Sequence, residues 1–242
     1  MKAIINANII MPDHVIENGV ILIDNGVIAD FGKAKNIKIP KDAEIIDAEN
    51  NFVGPGLVDI HTHAAGGYYI MDNPKVSSAE LLKHGVTSVL PALYYSLDKE
   101  HFLKAIDDII TAHKNGDFDN FLGFYMEGPY LNPAFGCDQE KNAWRHGVFP
   151  KDYLELIERS KDYTKVWCIA PEREGIEQFV IDVKKKIPNC VFSVAHSEAT
   201  PEQVEKFIPY GLKIATHHTN ATGTLEHYSE CRGVCVDEAV NY

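Results

Sequence analysis

Apolar positions follow two different rhythms along this chain, and the change falls near Pro55. Before it, "VILIDNGVIADFG" alternates apolar and polar residues on both sides of Asn25-Gly26, the dipeptide best suited to a two-residue turn between antiparallel strands. "AIINANII" ahead of it and "AEIIDAENNFV" after it add further short strands, so residues 1–53 are expected to form a small N-terminal β-sandwich module. From residue 54 onward short apolar runs alternate with helical patterns. Strands are expected from 57, 86, 121, 165, 190 and 212. Helices are expected in "SSAELLKHG", "DKEHFLKAIDDIITAHKNG", "PKDYLELIERS", "GIEQFVIDVKKKI" and "TPEQVEKFIPYG". Ser77, Asp98 and Thr200 are suited to cap helices, and Gly85, Gly116 and Gly211 to stop them. The strands are apolar on both faces, as in a parallel sheet covered by helices.

Repeated βα units build either a doubly wound sheet or a (β/α)8 barrel. Here each apolar run ends in a chemically loaded tip: His61 and His63, Glu127, Glu172, His196, then His217 and His218. A barrel opens all its strand C-termini onto one face, whereas a doubly wound sheet favours only its switch point. The expected fold is therefore α/β, a (β/α)8 TIM-type barrel over 54–242. It is incomplete. The six strand starts recur about every 31 residues, and eight units need roughly 250 residues, against 186 from residue 57 to the end.

Composition narrows the function classes. The chain has 242 residues, 45% hydrophobic and 24% charged, as an ordinary globular protein does. Its formal net charge of -12, from 35 acids and 23 bases, speaks against a nucleic-acid partner. Five scattered cysteines read as reduced thiols of a cytoplasmic protein. No run reaches membrane-spanning length, and the N-terminus is too polar for a signal peptide.

Residues i and i+2 of a strand share a face, so His61 and His63 can point together into the barrel mouth and share a metal. Asp59 is a candidate partner for the other ring N–H of a ligating histidine. Glu127 closes the run "FLGFYM", where a buried carboxylate needs compensation. His196 ends "VFSVAHS", and alternation points one of His217 and His218 inward. Imidazole and carboxylate donors suit one or two divalent ions, Zn, Fe, Mn or Co.

These residues carry a resemblance. "PGLVDIHTHAAGG" resembles the signature of the amidohydrolase superfamily. "GVTSVLPA", "MEGPYLNP", "IAPE", "AHSEAT" and "ATHHTNAT" resemble successive blocks of its N-acetylglucosamine-6-phosphate deacetylases. The resemblance implies a metal on Glu127, His196 and His217, and a second on His61 and His63 with Glu127 bridging. It implies a small-molecule amino-sugar substrate, with Asn220 and Ala221 near its phosphate, and a homodimer. Two positions depart from the pattern. Asp138 stands where the family has a sugar-contacting histidine. His227 and Tyr228 stand where it has a phosphate-binding arginine, with Arg232 further on. Arg145 and His146 offer an alternative anion pair.

The same resemblance places the general-base aspartate on a strand beyond Tyr242. An N-terminal portion of a longer hydrolase, lacking turnover by itself, is the resulting expectation. Two other readings remain open at this point: a hydrolase of cyclic amides or N-acyl amino acids, and a catalytically silent metal-binding fragment. The former usually carries a carboxylated lysine on strand four, yet Lys165 lies at the wrong end of "KVWCIAPE".

Overall fold

A computed structural model describes residues 1–136, 140, 142–218, 220–223 and 236–241. The chain divides into two compact units, Met1–Gly56 and Leu57–Tyr242.

The first unit is one mixed sheet. Strands β1 (Lys2–Ile10), β2 (Val15–Asp24), β3 (Val27–Lys33) and β4 (Glu44–Asp47) lie in the order β3-β2-β1-β4, and β5 (Phe52–Val53) also pairs with β1. The Asn25-Gly26 hairpin forms as expected, with Asp24 opposite Val27 and both turn residues at positive φ (48° and 80°). Alternation splits the apolar residues between the faces: Ala3, Val20 and Leu22 in one cluster, Ala7, Ile9 and Ile21 in another. The expected two-sheet sandwich is thus corrected to a single five-stranded sheet among the described residues. Ala34, Ile37, Ile39 and Ala43 pack against the first cluster and Met11, Ile16, Ala48 and Val53 against the second, while Val27, Ile28, Phe31 and Phe52 stay exposed.

The second unit begins with β6 (Leu57–Thr62) and a small hairpin, β7 (Ala64–Ala65) with β8 (Tyr68–Tyr69). Then α1 (Pro74–Lys83), β9 (Val86–Tyr94), α2 (Lys99–Lys114), β10 (Phe124–Glu127), α3 (Pro150–Ser160) and β11 (Thr164–Ile169) follow. The remaining elements are α4 (Ile176–Lys186), β12 (Val191–Val194), α5 (Pro201–Phe207), β13 (Leu212–Ala215) and α6 (Val236–Ala239). Six strands form one sheet in the order β13-β12-β11-β10-β9-β6, every pair parallel. The order runs monotonically along the chain with no reversal, so no switch point of a doubly wound sheet exists among them. This is the topology of part of a (β/α)8 barrel, and among the described residues it is open: β6 and β13 each have one neighbour. The β6 edge leaves Leu57 and Val58 61% and 60% exposed.

Strand alternation sorts the core into two layers. Outward residues such as Phe124, Met126, Trp167, Ile169, Phe192 and Val194 pack under Phe102, Ile106, Tyr153, Leu156, Phe179 and Val183 of the helices. Inward residues Leu90, Ala92, Tyr125, Val166, Cys168 and Ala195 fill the concave side. Helix ends follow the sequence closely. Asp98 and Thr200 accept backbone N–H bonds as N-caps, Thr200 within a full capping box with Gln203. Ser77 does not cap α1: Asn73 takes that role ahead of Pro74, and the hydroxyl of Ser77, itself within the helix, donates to the Ala65 carbonyl of β7. Cys168 and Cys190 are buried. No described helix is long and apolar enough to cross a membrane.

Candidate metal centre

Glu127 closes β10 at 4% exposure and forms a hub for four histidines. Its Oε2 lies 3.0 Å from His63 Nε2 and 3.5 Å from His61 Nε2, while its Oε1 lies 3.2 Å from both His196 Nε2 and His217 Nε2. His61, His63 and Glu127 make one potential metal trio, and Glu127, His196 and His217 another. Burial raises the Glu127 pKa, but the four imidazoles, donating to it when protonated, reverse this and hold its carboxyl well below the usual carboxylate range.

The histidines reach the hub by different routes. His61 on β6 and His63, one residue past its end, follow strand alternation. His196 and His217 do not: each lies just past its strand, and by alternation with Phe192 and Val194, or with Ala215, each would face outward. Both take positive φ (47° and 34°), and this left-handed backbone aims the ring at Glu127 instead.

The ring nitrogens are already assigned. Nδ1 of His63 lies 3.0 Å from the Ala92 carbonyl, that of His196 2.7 Å from the Phe135 carbonyl, and that of His217 3.0 Å from the Asn220 carbonyl. A carbonyl only accepts, so each Nδ1 donates, and a neutral ring then keeps its lone pair on Nε2. Those lone pairs converge on an ionised carboxylate, with the Nε2 atoms of His196 and His217 3.2 Å apart. Acceptors facing acceptors at this range call for a cation between them. The donor set therefore fits a divalent metal, and His61, His63, Glu127, His196 and His217 are the residues that could hold it.

Several surrounding groups differ from expectation. Asp59 accepts the backbone N–H of His61, not a ring N–H, and the buried His61 Nδ1 has no partner. Glu172 is not drawn to the hub. Its carboxylate accepts Asn132 Nδ2 (2.9 Å), Ser197 Oγ (2.7 Å) and the Glu198 N–H (2.9 Å), tying down the turn that carries His196. His218 is exposed and lies 3.7 Å from Asp237, whose carboxylate also accepts the Thr222 hydroxyl. Asn220 supplies the carbonyl that orients His217. Ala221 packs against Gly136, where an added Cβ would come within 2.6 Å of the Ala221 Cβ and 2.9 Å of His196 Nδ1. Arg145 is exposed and its guanidinium donates to the Glu140 carbonyl. His146 lines a surface cavity with Lys99, Trp144, Phe149 and Lys151, none of them hub residues. Asp138 and His227 lie outside the described residues, as do Tyr228 and Arg232. Lys165 is exposed at the start of β11.

Three side chains were not anticipated. Tyr125 lies under His61, ring centroids 4.6 Å apart, and bonds Thr216 at 2.5 Å. Tyr94 and Tyr95 stand beside His63 and His196. The signal for the latter pair was present: "LPALYYS" ends its apolar run in an aromatic doublet, a strand tip loaded with rings instead of ionisable groups.

Fold and hub together define a class: a parallel βα-barrel unit with a histidine–carboxylate metal cradle at its strand C-termini. Within that class, the sequence is similar to N-acetylglucosamine-6-phosphate deacetylase of Haemophilus influenzae, 27% identical over 92% of this chain and 58% of that protein. It is also similar to N-acetylgalactosamine-6-phosphate deacetylase of Escherichia coli O157:H7, 29% identical over 85% of this chain and 53% of that protein. The fold matches the crystal structure of N-acetylglucosamine-6-phosphate deacetylase from Pasteurella multocida with a TM-score of 0.76 at 24% identity, over 99% of this chain and 61% of that one. No family model matches. The chain is thus similar to these hexosamine-phosphate deacetylases, as its motifs implied, and spans little more than half the length of the curated proteins it matches.

Proposed function

We propose that this chain contributes the metal-binding part of a hydrolase that removes the acetyl group from an N-acetyl amino sugar, with N-acetylglucosamine-6-phosphate as the leading candidate. The observation that carries this reading is the convergence of four Nε2 atoms on Glu127 at the C-terminal end of the parallel sheet. The names of the relatives supply the substrate class. A divalent ion in the cradle would lower the pKa of bound water and polarise an acyl carbonyl. Glu127 stays ionised and holds the imidazoles together. The backbone carbonyls of Ala92, Phe135 and Asn220 keep the ring proton of His63, His196 and His217 on Nδ1. The six βα units are read as six of the eight of a barrel. Among the described residues no second carboxylate joins the hub, and the resemblance assigns the proton-transferring aspartate to a strand later than β13.

The test is acetate release by the zinc-loaded protein expressed from its complete reading frame. N-acetylglucosamine-6-phosphate, N-acetylgalactosamine-6-phosphate and dihydroorotate serve as competing substrates. Deacetylation of a hexosamine phosphate is expected. Ring opening of dihydroorotate without it would overturn the reading in favour of a cyclic-amide hydrolase.

A further inference from the structure

The metal cradle has an aromatic wall along β9. Tyr94 is the last residue of that strand and the register partner of Glu127, so the two side chains leave the sheet on the same face. Its ring meets the His63 ring edge-on, centroids 4.9 Å apart. Tyr95 follows, 5.9 Å from Tyr94 and 6.3 Å from the His196 ring. A third ring arrives by a separate route. Directly after His63 the chain reverses through Gly66 and Gly67, both at positive φ (64° and 83°), as a two-residue hairpin turn requires. That turn places Tyr69 opposite Ala64 and 5.9 Å from Tyr94, their planes inclined by 31°. Tyr69 is 46% exposed, so the wall runs from the metal ligands out to solvent.

None of these rings belongs to either metal trio. Their position is nevertheless tied to the ligands, since β9 carries Tyr94 and the β7–β8 hairpin grows out of the His61-x-His63 segment. A group whose acyl carbonyl sits at the cradle must lay the rest of its body against a neighbouring surface, and on the β9 side that surface is phenol faces. An aromatic face carries partial negative charge and attracts weakly positive C–H edges. A pyranose ring offers such a C–H face while its hydroxyls project sideways.

We propose that Tyr94, flanked by Tyr69 and Tyr95, is the stacking surface for the pyranose ring of the N-acyl amino sugar, selecting the sugar body while the cradle takes the acyl group. This rests on the amino-sugar reading above and assigns these tyrosines a specificity role.

Saturation-transfer NMR on the zinc-loaded 242-residue chain tests it, irradiating aromatic protons with N-acetylglucosamine as one probe and ring-free N-acetylglycine as the other. The sugar's ring protons should saturate more strongly than its acetyl methyl. Tyr94→Leu should weaken the sugar about tenfold, while Tyr94→Phe, which keeps the face and loses the hydroxyl, should stay within about twofold. N-acetylglycine should bind all three proteins alike. If Tyr94→Leu loses zinc, Tyr69→Leu replaces it, with a smaller loss expected. Unchanged sugar affinity in the Leu variants, or saturation confined to the acetyl methyl, would overturn the wall and leave the amino-sugar reading standing. A wild-type chain that binds N-acetylglycine but no sugar would overturn the amino-sugar reading itself, and one that binds neither probe counts against both.

Discussion

The two sides of the candidate metal centre share one carboxylate and differ in almost everything else. His61 and His63 come from an edge strand whose Leu57 and Val58 are solvent-exposed, and of these two rings only His63 has its Nδ1 anchored. His196 and His217 come from β12 and β13 with both Nδ1 atoms held by carbonyls, and Glu172 fastens the turn behind His196. Anchored rings do not have to be ordered when the ion arrives. The His196/His217 side is therefore the preorganised one, and the His61/His63 side should depend more on the ion to set its geometry.

Removing the shared member erases the contrast and carries the largest effect. Glu127→Gln keeps the shape, loses the charge and turns one acceptor into a donor facing the imidazoles. Zinc affinity measured by chelator competition should fall by more than the roughly 100-fold that marks loss of an outer partner. Native affinity in this variant would mean that Glu127 is not a ligand. The next pair of substitutions separates the two sides. His196→Asn should weaken the first zinc equivalent by well over about tenfold, whereas His61→Asn should leave it nearly unchanged and remove only a weaker second equivalent. Equal losses in both variants would show that the anchoring does not rank the sites.

The same contrast sorts what the sequence could reveal. His61 and His63 were legible because they obey strand alternation. Glu127 was legible because an acid ending an apolar run needs compensation. His196 and His217 were legible as loaded tips but not in their aim: alternation with the inward Ile214 and Thr216 would have chosen His218, and only the left-handed backbone at His217 reverses that choice. Such a backbone state depends on tertiary contacts, such as the Asn132 N–H bonding the His196 carbonyl, and leaves no local pattern. The barrel topology was readable from repeated βα units. The missing second sheet of the N-terminal unit was not, since alternating strands predict an apolar face without predicting what covers it.

Glu172 tests the anchoring itself. It touches no ligand side chain, yet its three accepted bonds join the Asn132 loop to the Ser197–Glu198 backbone. Glu172→Ala should cost the first zinc equivalent about 10- to 100-fold, with a smaller change for Glu172→Gln, whose amide keeps one acceptor. The second equivalent should barely move. A Co(II)-substituted protein would report the same loosening as a change in its visible absorption, and an unchanged spectrum in Glu172→Ala would remove the residue from the site.

The smallest effect is a pH dependence that reverses when metal is added. The hydrogen bond to Glu127 raises the pKa of His63 above its ordinary 6.5, and the same contact raises that of His217. Groups raised in the folded state stabilise it fully below 6.5 and lose that contribution as pH climbs through the raised values. Glu127, lowered from 4.5 by the four imidazoles against its burial, stabilises above 4.5 and loses that contribution as pH falls. The metal-free centre should therefore contribute most between these two values and decline above them. Zinc demands neutral imidazoles, so its stabilisation grows over the range in which the metal-free contribution fades. Melting temperatures from about pH 5.5 to about 8, with chelator and with zinc, should diverge steadily. His63→Asn and His217→Asn should each remove part of the metal-free slope, because one shifted histidine lies on each side of Glu127. A slope that survives both substitutions would place the titration elsewhere in the fold.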